Sequence, residues 1–143
     1  MSAYESADLL LKLYEVRREP KMREAREWYA RSFNPESLDD IKKALSGPQS
    51  GHFRMVTSYW DMAASFVHNG AIDEQMFNDA NGEQVVVLAK VEPFLNEYRA
   101  FMHNPSYLVH LEKLVLKQPG ARERMATLRE RFRQMAAAVA SGR

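Results

Sequence analysis

Five polar side chains stand at intervals of four, three, four and three residues: Arg54, Ser58, Asp61, Ser65 and His68. That spacing places all five on one face of a helix. Asp61, Ser65 and His68 are also the residue types of a hydrolytic triad, in which histidine takes the proton of the attacking serine and the carboxylate orients the ring. The geometry of a helix argues against that chemistry. Asp61 and His68 are separated by about 10 Å along the axis, so His68 does not reach both partners. Ser65 sits in mid-helix rather than on a strained elbow, and no neighbouring motif supplies an oxyanion hole. The stripe is expected to be a solvated or groove-lining face, with Trp60 as the aromatic wall of a pocket beside it.

Metal and phosphate chemistry find less support. The histidines are His52, His68, His103 and His110, and no His-x-x-x-His or Glu-x-x-His pair presents two ligands on one helical turn. The run Phe77-Asn78-Asp79-Ala80-Asn81-Gly82-Glu83 has the flavour of a calcium loop, but aligning Gly82 with the turn glycine puts Phe77 where the first carboxylate belongs. It reads as a turn between helices. Isolated glycines at helix ends make no phosphate cradle, and no cysteine is present to act as nucleophile, thiolate ligand or disulfide partner. No catalytic residue, cofactor site or metal site is therefore assigned.

The elements that must position these residues are helical. Apolar residues recur at three and four positions between breaks at Pro20, Pro35, Gly47-Pro48, Gly70, Gly82, Pro93, Pro105 and Pro119. The pattern predicts helices over 3–18, 20–32, 38–45, 51–69, 74–80, 83–103, 105–117 and from 119 to about 140. In the first, Leu9, Leu10, Leu11, Leu13, Tyr14 and Val16 cover more than one face, so much of it is expected to be buried. The 51–69 helix is apolar on most of its circumference and belongs at the centre. Residues 84–88 have strand composition, yet the helical period continues through Val91 and Tyr98 and no second strand is available to pair. Helix is preferred there, kinked at Pro93. The last helix sets Ala121, Met125, Leu128, Phe132, Met135 and Val139 on one seam, expected to pack on its own bundle, with a second subunit as the other occupant. The expected fold is an all-α, irregular antiparallel bundle of about five to seven helices in a single domain, 1–143.

Charge is distributed unevenly behind a net +1. Residues 12–31 sum to +3, residues 34–104 to −5 and residues 119–143 to +4. Basic terminal helices against an acidic middle are the simplest consequence. Arg122, Arg124, Arg129, Arg131 and Arg133 could follow a phosphate backbone, as could Arg17, Arg18, Lys21, Arg23 and Arg26. Both sets alternate with glutamates in the manner of a solvated face, so nucleic acid is not the expected partner. The longest uncharged runs, Met62–Ile72 and Ala100–Leu111, fall short of the ~20 residues of a membrane span, and the N-terminus lacks a basic signal region. A cytoplasmic location is expected.

Two stretches carry a resemblance. Leu13-Tyr14 followed by Pro20-Lys21-Met22-Arg23-Glu24-Ala25-Arg26, and Trp60 through Val67-His68-Asn69-Gly70-Ala71-Ile72-Asp73, resemble an uncharacterised family of bacterial all-helical proteins, a domain of unknown function, over roughly residues 10–115. In that family a "P-x-M-R-x-A-R" helix precedes a long helix ending in "G-x-I-D", and some members are tethered by an N-terminal membrane segment. The resemblance implies an all-α fold and no activity. The function expected from the sequence is a non-catalytic protein-interaction or scaffold module, whose partner is another protein or a second copy in a homodimer. The alternative is a small-molecule-binding regulatory or sensor domain with its pocket between helices, beside Trp60 and the Arg54–His68 stripe.

Overall fold

The computed structural model describes residues 2–142, and those residues form helices and turns with no strand among them. In chain order the helices are α1 (Ala3–Arg17), α2 (Pro20–Arg31), α3 (Leu38–Ser46), α4 (Ser50–His68), α5 (Glu74–Ala80), α6 (Glu83–Val91), α7 (Leu95–Phe101), α8 (Val109–Leu116) and α9 (Ala121–Ala140). The fold is all-α as expected, with more and shorter helices than five to seven.

Local chemistry accounts for most of the starts. Ser2 and Glu5 form a reciprocal capping box on α1. The Glu19 carboxylate accepts the Met22 N–H over Pro20, whose missing N–H costs nothing in a first turn. Ser37 and Asp73 cap α3 and α5 through the N–H groups of Asp40 and Met76. Gly70, at φ 78°, ends the α4 region in the left-handed conformation that glycine adopts without a Cβ penalty.

Helix α4 is the axis of the bundle and packs against α2, α3, α6 and α8. Phe53, Val56, Thr57, Tyr59, Trp60, Ala63, Ala64 and Val67 are all buried on it. Helix α6 resolves the strand-or-helix ambiguity: Val85, Val87, Leu88, Ala89 and Val91 are buried around most of its circumference. With neighbours on every side, β-branched residues pack in a helix despite their strand preference. Pro93 interrupts it as expected, the chain passing through one 3₁₀ turn at Glu92–Phe94 before α7.

Three expectations are corrected. Helix α1 buries only Ser6 and Leu13 and leaves Tyr4, Leu11, Tyr14 and Val16 exposed, because it packs mainly on α2 and α5 along one side, with the Tyr59 hydroxyl of α4 donating to the Leu13 carbonyl at 2.7 Å. The predicted 105–117 helix starts only at Val109, since His103 and Leu108 take φ values of 52° and 55° that no helix continues. The α9 seam packs on α6 and α8 at its N-terminal end only. Ala121 and Met125 are buried, Leu128 and Phe132 partly so, and Met135 and Val139 are exposed.

The charge pattern is resolved in space by ion pairs between the basic ends and the acidic middle. Arg26 on α2 grips Glu83 on α6 at 2.9 Å, Arg122 on α9 pairs with Glu92, and Lys117, just ahead of the second basic stretch, reaches Glu74 at 3.1 Å.

Candidate functional site

The polar stripe of α4 is engaged in holding the fold. The Ser58 hydroxyl donates to the Arg54 carbonyl at 2.6 Å, and the Ser65 hydroxyl to the Met62 carbonyl at 2.6 Å, the back-bonding typical of mid-helix serine. Asp61 Oδ1 accepts the Leu111 N–H at 3.0 Å, so it caps the first turn of α8 from across the bundle. His68 Nδ1 lies 3.1 Å from His110 Nδ1. No hydrogen bond links Asp61, Ser65 and His68 to one another. A triad is therefore not assembled.

Arg54, Ser58 and Asp61 do converge on one feature, an open groove of about 600 Å³ between α4, α7 and the 102–108 loop, with His110 at its end. Ser65 and His68 lie beyond it. Trp60 does not line it, correcting its expected place as a pocket wall. Its side chain is 1% exposed, and Nε1 donates to Glu83 Oε2 at 3.1 Å, where the same carboxylate accepts the Arg26 fork at 2.9 Å. Trp60 belongs to the line Phe53, Val56, Trp60, which faces the core rather than the polar stripe.

The far wall of the groove was not legible in the sequence. Tyr98 and Tyr107 pack with ring centroids 4.8 Å apart, and burial pushes both phenols above their ordinary range. The Tyr107 hydroxyl is buried without a partner. Arg99 clamps the loop by donating to the Tyr107 carbonyl at 2.8 Å while pairing with Glu112 at 3.1 Å. Leu108, in the left-handed region yet only 3% exposed, is a conformation that bulky residues adopt only under tertiary constraint. Its burial and the Asp61 cap on the next turn supply that constraint.

Two further groups were missed. The His68–His110 contact allows one ring to donate only while the other accepts, so the pair holds a neutral imidazole. Desolvation, then the charges of His110, Lys117 and Lys113, lower the His68 pKa, with Glu74 opposing them. Lys90, at 3% exposure, places Nζ among the carbonyls of Tyr29 at 2.7 Å, Ala30 at 3.0 Å and Phe33 at 2.7 Å, with Asn34 Oδ1 at 3.2 Å. It therefore caps the negative end of α2. The Phe132 ring lies over the ammonium, 4.5 Å from centroid to Nζ. Burial pulls the Lys90 pKa down to about 8. A visible signal existed in the single lysine within the apolar run Val85–Val91.

Among the described residues no three histidine, aspartate or glutamate side chains converge as a metal site, and no helix is long and apolar enough to cross a membrane. Residues 2–118 match the family model "Domain of unknown function (DUF4760)". The chain belongs to this family. No curated protein and no solved structure matches it. The DUF4760 match takes in both resembling stretches and runs from α1 through α8. Helix α9 lies outside the matched residues, although it closes the bundle over α6.

Proposed function

We propose that this DUF4760 protein is a non-catalytic protein-interaction module whose docking surfaces are α1 and the C-terminal half of α9. The observation that carries this reading is where apolar surface is left uncovered. Tyr4 is 82% exposed and Leu11 62% on α1, and Met135 is 59% and Val139 76% on α9. Scattered apolar residues on a surface need no explanation, but rows at helical spacing mark a site for another helix or sheet. The state of the stripe also favours binding over catalysis, because the Ser58 and Ser65 hydroxyls and one Asp61 oxygen are already committed to backbone groups.

Photo-crosslinking tests the reading. A benzophenone side chain placed at Met135 or at Leu11 is expected to give discrete adducts in the cell, and one placed at the buried Met125 none. Absence of adducts from both exposed positions overturns it.

The Arg54–Tyr107 groove favours a second reading, that of a small-molecule sensor. Its volume of about 600 Å³ lies in the range of natural ligand sites, ~300–1,000 Å³, and apolar walls with a few convergent polar groups suit one. A ligand there would alter the amide spectra of the 102–108 loop; a fragment screen leaving those resonances unmoved removes this reading.

A further inference from the structure

We infer that the partner is a second copy of this chain, with the C-terminal half of α9 from each copy lying parallel on α1 of the other. The inference rests on the interaction-module reading and adds to it the occupant, the orientation and the register.

Shape is the first argument. On α1, Tyr4, Ala7, Leu11 and Tyr14 follow one another at three, four and three residues, with Tyr4 and Leu11 opposite the buried Ser6 and Leu13 and with Ala7 and Tyr14 on one edge. On α9, Met135 and Val139 follow Phe132, whose ring covers Lys90, at three and four, beyond the buried Met125. Both rows have the alternating spacing that lets two helices interlock side by side.

Charge selects which rows meet. The exposed part of α9, residues 131–140, carries Arg131 and Arg133 and no acid. Residues 3–11 of α1 carry Glu5 and Asp8 and no base. Pairing α9 with α9 sets arginines beside arginines, and pairing the α1 starts sets acids beside acids. Only the mixed contact is complementary. Glu5 engages Ser2 in the cap through Oε1, while Arg133 shares Glu130 in its own helix and Asp8 shares Lys12, with every side chain of these two ion pairs more than half exposed. Such pairs exchange at little cost.

Direction follows from the same charges. Arg131 to Val139 spans eight residues, as does Asp8 to Val16, about 12 Å in each case. With the helices parallel and Met135 beside Leu11, Arg131 lies level with Ala7 on the flank that carries Glu5 and Asp8, while Arg133 turns to the other flank. Val139 then reaches Tyr14, and the negative C-terminal end of α9 approaches Arg17 and Arg18. The antiparallel register with the same central contact sets Arg131 level with Glu15 but on the Arg17 flank of α1, away from Glu5 and Asp8. A single helix pair of about three turns is small against the ~1,200 Å² or more of a specific interface. A two-fold axis makes the contact twice and closes the assembly as a dimer.

Sedimentation equilibrium of the full chain at low salt, from micromolar to high micromolar concentration, tests this with two charge-reversed variants, R131E/R133E and E5K/D8K. Wild type is expected to dimerise, and each variant alone to do so at least tenfold more weakly. In an equimolar mixture of the two, both helix contacts regain opposite charges, so a mixed dimer is expected to form at wild-type strength. Circular dichroism confirms folding, and M135E, which leaves the α1 cap untouched, must weaken the dimer as well. A monomeric wild type, or an E5K/D8K variant that dimerises normally, overturns the inference. Adducts at Met135 of a mass other than the dimer, or Arg131-dependent co-sedimentation of the monomer with anionic phospholipid vesicles, overturn the second copy as occupant while leaving α9 a docking surface. Absence of any adduct from Met135 and Leu11 defeats the interaction reading itself.

Discussion

Replacing Lys90 by methionine keeps the length of the side chain, removes its charge and strands the carbonyls it serves. Nζ sits within 3.0 Å of the Tyr29, Ala30 and Phe33 carbonyls, and no carboxylate lies among its hydrogen-bond partners. A buried acceptor left unpaired costs about 1–3 kcal/mol, and water entering the adjoining cavity of about 340 Å³ recovers part of that. A loss of about 2–4 kcal/mol at pH 7 is expected. The pH dependence is the sharper test. Burial lowers the Lys90 pKa from 10.5 to about 8, so between those values the unfolded chain binds more protons than the folded one. Stability contributed by this site therefore rises with pH across that window. At neutral pH the wild type bears the cost of a buried ammonium; near pH 10 it holds a neutral amine that still donates two hydrogen bonds. Lys90→Met has no such proton to lose. The stability gap between the two proteins is thus expected to widen from pH 8 to pH 10.5, by about 2–3 kcal/mol at ~1.4 kcal/mol per pKa unit. Urea titrations followed by tryptophan fluorescence give the gap at each pH. Taking the difference cancels Tyr29, Tyr59 and Tyr107, whose raised pKa values make both proteins less stable as the pH climbs past 10. A gap that stays constant, or narrows with pH, would refute the reasoning: the helix carbonyls would then offset the burial of the charge.

Asp61→Ala removes the cap on α8 and is expected to cost about 1 kcal/mol, with faster amide exchange at residues 109–113. Equal exchange in that turn, whatever the global stability, would show that the carboxylate does not cap it. The lowered His68 pKa means that the unfolded chain takes up its proton first as the pH falls. Stability is therefore expected to drop as the pH passes below about 6.5, the ordinary histidine value. His68→Gln should flatten that limb of the urea-midpoint profile, and an unchanged slope would place the acid sensitivity elsewhere.

The helices were legible because their evidence is local. Breaks at proline and glycine and the apolar recurrence at three and four positions are read within a turn or two, and the apolar line Phe53, Val56, Trp60 identifies α4 as central. The site was legible only in part. Arg54, Ser58 and Asp61 share a face in any helix, which is why the groove's near wall could be named in advance. Its far wall depends on Tyr98, Tyr107 and a left-handed Leu108, and no local pattern announces a backbone that packing alone sustains.

The boundary between the two kinds of information lies at contact across the chain. Periodicity, caps and breaks are set by neighbours within one turn, so the sequence alone determined an all-α fold, the identity of its axis and the absence of an assembled triad. Tertiary structure decided which carboxylate met which donor. It set Asp61 on α8, Glu83 between Arg26 and Trp60, His68 against His110 and Lys90 under α2. These are encounters across 23 to 61 residues of chain, closed by the core rather than by local preference. It also decided what stayed outside. Helices α1 and α9 also carry apolar residues at helical spacing, and the limited reach of their neighbours leaves part of those seams uncovered.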